Sequence, residues 1–260
     1  MNLPVEVIEA VRNRRCLLVL GSRATLEAAE LQDHPWPDNR ALATSLGWKK
    51  PRPVPGTRPK PQPPSVEEAA GELESRVGRP ALLAQLQAAL ATPFAPTAAH
   101  RSAWQHFPLI VSTSYDALLV QAAPASLRQL NREDVFPTAS DPAQPTVIHL
   151  RGQLSRPETL LLSRRDFEQR PLGAEQRRAL RTLIRGHVVL FVGFRPDEEE
   201  FERCFSEFSD AYGGELPRCH LAVGQGPIDD FLWQKWVWRG LLMFMADPTE
   251  AMAELEAQLP

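Results

Sequence analysis

Six short apolar runs, none interrupted by Lys, Arg, Asp or Glu, set the terms on which this chain can fold. Cys16-Leu17-Leu18-Val19-Leu20 stops at Gly21, and Leu109-Ile110-Val111 stops at Ser112. Thr146-Val147-Ile148-His149-Leu150 stops at Arg151-Gly152, and Val188-Val189-Leu190-Phe191-Val192 stops at Gly193. His220-Leu221-Ala222-Val223 stops at Gly224, and Leu241-Leu242-Met243-Phe244 follows. A strand with one wet face alternates apolar and polar residues. Runs without alternation are strands covered on both faces.

The stretches between these runs have helical spacing. Val7, Ile8 and Val11 form one stripe, with Pro4 suited to the first turn. Residues 66–91 carry Leu73, Val77, Leu82, Leu83, Leu86 and Leu90, and Gly78-Arg79-Pro80 divides them into two helices. Residues 172–185, 198–212 and 249–259 repeat the pattern, the last with Met252, Leu255 and Leu259 on one face. Buried strands alternating with helices predict an α/β fold with a doubly wound, mostly parallel, Rossmann-like sheet. The expected organisation is a single domain over residues 1–260, with a helical, Pro-rich insertion at 38–99.

Proline sets that insertion apart. Seven of the 25 prolines fall in residues 51–64, PRPVPGTRPKPQPP, which can be neither helix interior nor central strand. A flexible, extended loop over residues 49–65 is predicted. No acid lies between Asn39 and Val66, whereas Arg40, Lys49, Lys50, Arg52, Arg58 and Lys60 do. The loop reads as a solvated linker, or as a contact arm for an acidic partner or nucleic acid through residues 40–60. Elsewhere the balance of 29 basic against 32 acidic residues disfavours a dedicated nucleic-acid binder.

No apolar run reaches the length of a membrane span, and the first residues lack a basic region followed by an apolar stretch. No membrane association and a cytoplasmic location are the expectation. Cys16, Cys204 and Cys219 are too far apart for a zinc pair or a disulfide framework. The Trp-rich segment 231–238 packs aromatics on the sheet, or, where a Trp is exposed, marks an oligomer or partner interface.

In doubly wound sheets ligands bind beyond the carboxyl ends of the strands. Here those ends are Gly21-Ser22-Arg23-Ala24-Thr25, Thr113-Ser114-Tyr115-Asp116, Arg151-Gly152 and Gly193-Phe194-Arg195-Pro196-Asp197. In that order they resemble the SIR2-like (sirtuin-related) family, and more closely the short bacterial SIR2-like domains that hydrolyse NAD in antiviral defence. LLVLGSRAT is similar to the family's strand and glycine-rich turn, and LIVSTSYDALL to its Thr-Thr-Asn-Tyr-Asp-x-Leu-Leu. VIHLRGQL is similar to His-Leu-His-Gly-x-Leu, and VVLFVGFRPDEEEF to Leu-Phe-Val-Gly-Phe-Ser-x-x-Asp-x-x-Phe. Leu161-Leu162-Ser163-Arg164-Arg165-Asp166-Phe167 resembles a further family segment.

The resemblance implies a site for NAD or an ADP-ribose-like nucleotide. Its cofactor-binding positions would be Gly21, Ser22, Arg23, Ala24, Thr25, Thr113, Ser114, Gly193, Phe194 and Arg195, and its catalytic positions Ser114, Asp116 and Arg151. Several are altered. Arg23 stands where a second Gly lets the backbone approach pyrophosphate; it either pairs with phosphate oxygens or fills the pocket. Ser114 replaces an Asn that positions the ribose and the attacking water, and a hydroxyl cannot make both contacts. Asp116 is retained, and capping the helix near Ala117 also accounts for it. Arg195 replaces a Ser, and the acids from Asp197 onward suit a helix start.

Arg151 stands at the catalytic His, and a guanidinium cannot accept a proton. His149 reads as a satisfied core histidine rather than a relocated base, sharing a strand face with Arg151. The zinc module of the deacetylase branch is not matched by any cysteine pattern here, so neither zinc nor deacetylation is expected. The expected function is a degenerate SIR2-like domain: a catalytically impaired nucleotide-binding or scaffold module, with a second copy or a partner protein of a defence assembly. The alternatives are an active NAD glycohydrolase with rearranged residues and an unrelated α/β nucleotide-binding domain.

Overall fold

The computed structural model describes residues 3–33, 37, 39–47, 65–91, 94–224 and 228–259, with backbone alone at 39 and 40. The Pro-rich segment 51–64, and with it most of the basic stretch 40–60, lies outside the described residues. In chain order the elements are α1 (Val5–Arg12), β1 (Cys16–Leu20), α2 (Arg23–Leu31), α3 (Asn39–Ser45), α4 (Val66–Val77), α5 (Arg79–Ala89) and α6 (Ala98–His106). There follow β2 (Leu109–Ser112), α7 (Leu118–Gln121), β3 (Arg128–Asn131), β4 (Thr146–His149), a single 3-10 turn at Pro157–Thr159, α8 (Arg164–Gln169) and α9 (Ala174–Gly186). The chain ends with β5 (Val188–Phe194), α10 (Glu199–Tyr212), β6 (Cys219–Val223), α11 (Asp230–Trp238), β7 (Leu241–Met245) and α12 (Pro248–Gln258).

Two compact units contain these elements: residues 1–28, 95–160 and 172–260 form one, and residues 29–94 and 161–171 the other. The first holds a seven-stranded sheet in the order β3-β4-β2-β1-β5-β6-β7, with every pairing parallel. This is the doubly wound α/β architecture expected from the unbroken apolar runs, and β1, β2, β4, β5 and β6 are buried along their whole length.

Alternate residues of the strands feed two cores. Leu17, Val19, Val111, Ile148, Val189 and Phe191 meet α9, α10 and Trp236 of α11. Leu18, Leu20, Ile110, Val147, Leu190 and Val192 meet α1, α6 and α12. On the first face the Phe191 ring lies 5.4 Å from Phe201 and 5.6 Å from Phe208, and Trp236 lies 4.7 Å from Phe201 and 5.1 Å from Phe205. Burying each such ring contributes about 1.5–3 kcal/mol.

Three elements depart from the sequence expectation. β7, read from its unbroken apolar run as covered on both faces, is an edge strand that leaves Leu242 and Met245 exposed. β5 does not stop at Gly193: its pairing with β6 slips between Phe191 and Phe194, and Gly193 takes φ +77°. That irregularity returns Phe194 to the core already occupied by Phe191. β3 is a short edge strand of sequence Arg-Gln-Leu-Asn whose first two residues are exposed.

The second unit consists of α3, α4, α5 and α8. Gly78, at φ +82°, separates α4 from α5, and Pro80 opens α5. Ser65 and Ser163 cap α4 and α8 through reciprocal bonds with Glu68 and Asp166.

Candidate cofactor cleft

The strand order reverses at β1: the chain passes to β2 on one side and later returns to β5 on the other. The carboxyl ends of these strands therefore flank the crevice where such sheets hold ligands. Gly21 and Gly193 meet here. A Cβ on Gly21 would sit 2.3 Å from the Gly193 carbonyl oxygen, and one on Gly193 would sit 2.9 Å from the Ala24 nitrogen. Both glycines are required by this close seating of α2 on the end of β5.

A carboxylate occupies the start of α2. Glu200, on the first turn of α10, accepts the Ser22 N–H at 3.1 Å and the Thr113 hydroxyl at 2.6 Å. Its second oxygen accepts the Ser22 hydroxyl. The side chain is buried. A helix N-terminus attracts anions through its open N–H groups and its dipole, and here the chain supplies its own anion.

A second cluster lies around Asp116. One carboxylate oxygen accepts the hydroxyls of Thr25 and Ser114, which are themselves 2.9 Å apart. The other accepts the Leu118 N–H at 2.7 Å, at the start of α7. Asp116 thus combines the helix-capping role with a hold on both neighbouring hydroxyls.

The arginines are tied to acids or aromatics. Arg23 lies 3.6 Å from Glu198. Burial and the Glu200 charge push the Glu198 carboxyl up to about 7, against the pull of Arg23. Arg195 grips Asp197 with two bonds of 2.9 and 3.1 Å. Burial alone would raise Asp197, but this fork holds its carboxyl below the ordinary range. Arg151 is 8% exposed, and its guanidinium carbon stands 5.0 Å from the centre of the Tyr115 ring.

β4 ends at His149, so Arg151 sits in the turn beyond it and the two do not share a strand face. His149 is buried as expected, yet neither ring nitrogen has a hydrogen-bond partner among the described residues. Burial pushes its pKa down to about 4, with Asp116 pulling the other way. The imidazole is neutral over the physiological range.

The structure brings Ser22, Thr25, Thr113, Ser114 and Asp116 together around β1 and β2, and Arg23 and Arg195 near the start of α10. Glu200 is the residue that sequence reading missed. Four consecutive acids at a helix start explain themselves through the helix dipole, and nothing local marks the one that reaches across to β1 and β2. Cys16, Cys204 and Cys219 are buried, and burial pushes all three thiols up, Cys219 to about 12. Among the described residues no group of three His, Cys, Asp or Glu side chains is placed to hold a metal ion.

A comparison with curated proteins returns no match. The model of a family described as SIR2-like domain matches residues 108–238, half of the chain, from β2 through α11. The glycine turn after β1 and the helices α3, α4 and α5 of the second unit lie outside the matched stretch. With that match, the parallel sheet and the strand ends in family order, the chain belongs to the SIR2-like domain family.

Proposed function

We propose that this SIR2-like domain is a catalytically impaired module that binds a nucleotide weakly or serves as a scaffold, and does not hydrolyse NAD. The observation that carries the reading is the Glu200 carboxylate on the Ser22 N–H, the Ser22 hydroxyl and the Thr113 hydroxyl. These are the donors that a pyrophosphate at the start of α2 would need. NAD does not fit them while Glu200 holds them: an added anion would face a buried carboxylate at close range.

Two further features support it. Arg151 stays protonated and cannot act as a base. The Ser114 hydroxyl is committed to Asp116 and does not replace an amide that holds both ribose and water. The setting implied by the family resemblance is a defence assembly, in which such a chain serves beside a catalytic partner.

The test is proton NMR of NAD with the purified chain. No free nicotinamide should form during prolonged incubation. Saturation transfer to the adenosine protons without cleavage would identify a binding module, and its absence a scaffold. Nicotinamide release that disappears in Arg151→Ala would overturn the proposal.

A further inference from the structure

β7 and α11 together form a self-complementary surface, and we infer that two copies of this chain associate through it. β7 ends the sheet. Its five residues pair in unbroken register with β6 on one side, and among the described residues no strand lies on the other. Edge strands are usually guarded by charge, proline or irregularity. The opposite edge, β3, has exposed Arg128 and Gln129. β7 is Leu-Leu-Met-Phe-Met, with Leu242 53% and Met245 42% exposed.

α11 leads directly into this edge. Trp236 anchors it, buried against Phe201 and Phe205 and donating its indole N–H to the Pro196 carbonyl at 2.9 Å. The same helix leaves Phe231 73% and Trp238 76% exposed. These residues are seven apart, two helical turns or about 10 Å on one face. The two rings offer on the order of 300 Å² of apolar surface. Val237, Met245 and the strand backbone add to it on the α11 side, and Leu242 on the opposite face of the sheet, towards the roughly 800 Å² per partner of a stable interface.

Charge selects a second copy as the occupant. Asp229 and Asp230 stand at the start of α11, and Lys235 and Arg239 near its end. Both cations share one carboxylate, Glu202, and their side chains remain 39% and 30% exposed. A two-fold axis beside β7 pairs it antiparallel with its copy, with no charge in either strand to oppose the other. The same axis lays the two α11 helices antiparallel. Phe231 of each copy then meets Trp238 of the other, and each acidic end faces a basic end.

Sedimentation velocity of the full chain over a wide concentration range tests this. A species of twice 29.1 kDa is expected. Trp238→Glu and Leu242→Lys should each raise the dissociation constant at least about thirtyfold, a hot-spot loss of about 2 kcal/mol converted at 1.4 kcal/mol per decade. Both side chains are exposed, so each variant's monomer should keep the wild-type fold by circular dichroism while its melting temperature loses the dimer's concentration dependence, and either variant alone suffices if the other misfolds. Mixing Phe231→Cys with Trp238→Cys should give a disulfide-linked pair that neither variant forms alone. A chain that stays monomeric, a dimer indifferent to both charge substitutions, or single cysteine variants that cross-link to themselves would each overturn the inference. So would binding of another protein by these residues with no self-association.

Discussion

Glu200 holds three donors that approach from two different strand ends. Replacing it with Gln keeps the volume but turns an amide NH₂ towards some of those donors. Leaving buried donors unmatched costs about 1–3 kcal/mol. Glu200→Gln should therefore lower the unfolding free energy by that amount, read as a lower urea midpoint at unchanged slope. An unaltered midpoint would mean that the carboxylate is not what satisfies Ser22 and Thr113. At this scale the sequence was legible where chemistry is local. Gly21 directly after β1 announces itself by residue type, and so does Gly193, one residue inside the end of β5. Glu200 does not, because its partner Ser22 lies 178 residues away, and capping α10 would be reason enough for an acid at that position.

Elements were legible wherever burial dictated composition. β1 and β5 could be read because a strand covered on both faces must be apolar throughout. β3 could not, since an edge strand with exposed Arg128 and Gln129 has no such requirement. α4 and α5 were separable because Gly78 adopts a positive-φ, extended conformation that ends one helix as Pro80 begins the next. In α8 local chemistry decides the fold. Asp166 accepts the Leu162 N–H at 2.7 Å, the Ser163 N–H at 2.9 Å and an Arg79 bond at 2.8 Å. Burial alone would raise its carboxyl, but these bonds hold it below the ordinary range. Asp166→Ala should destabilise by about 1–2 kcal/mol through loss of the cap. Faster amide exchange at Leu162 and Ser163 is the local readout, and unchanged protection there would refute the capping role.

At the scale of the whole molecule, buried and half-buried histidines on α6, before β5 and on β4 and β6 have a combined titration that governs acid stability. Burial lowers the pKa of His100, His106, His149, His187 and His220, with His149 reaching about 4. An unfolded histidine titrates near 6.5, so between 6.5 and 4 the unfolded chain binds more protons than the folded one. Stability contributed by these groups is complete above pH 6.5 and is lost as pH falls. For His149 alone the loss is on the order of 3 kcal/mol once pH passes below 4. Two glutamates oppose it. Glu198, raised to about 7, keeps a proton in the folded state that it releases on unfolding, so its contribution grows as pH falls from 7, and Glu27, also raised by burial, acts in the same direction. The wild-type curve between pH 7 and 5 is therefore flattened by compensation, and two variants separate its parts. Glu198→Gln removes an opposing group and should steepen the loss of urea stability from pH 7 to pH 5. His149→Gln removes the deepest histidine and should make the same loss shallower, whatever its effect at pH 7. Equal slopes in wild type and His149→Gln would show that His149 is not held neutral by the fold.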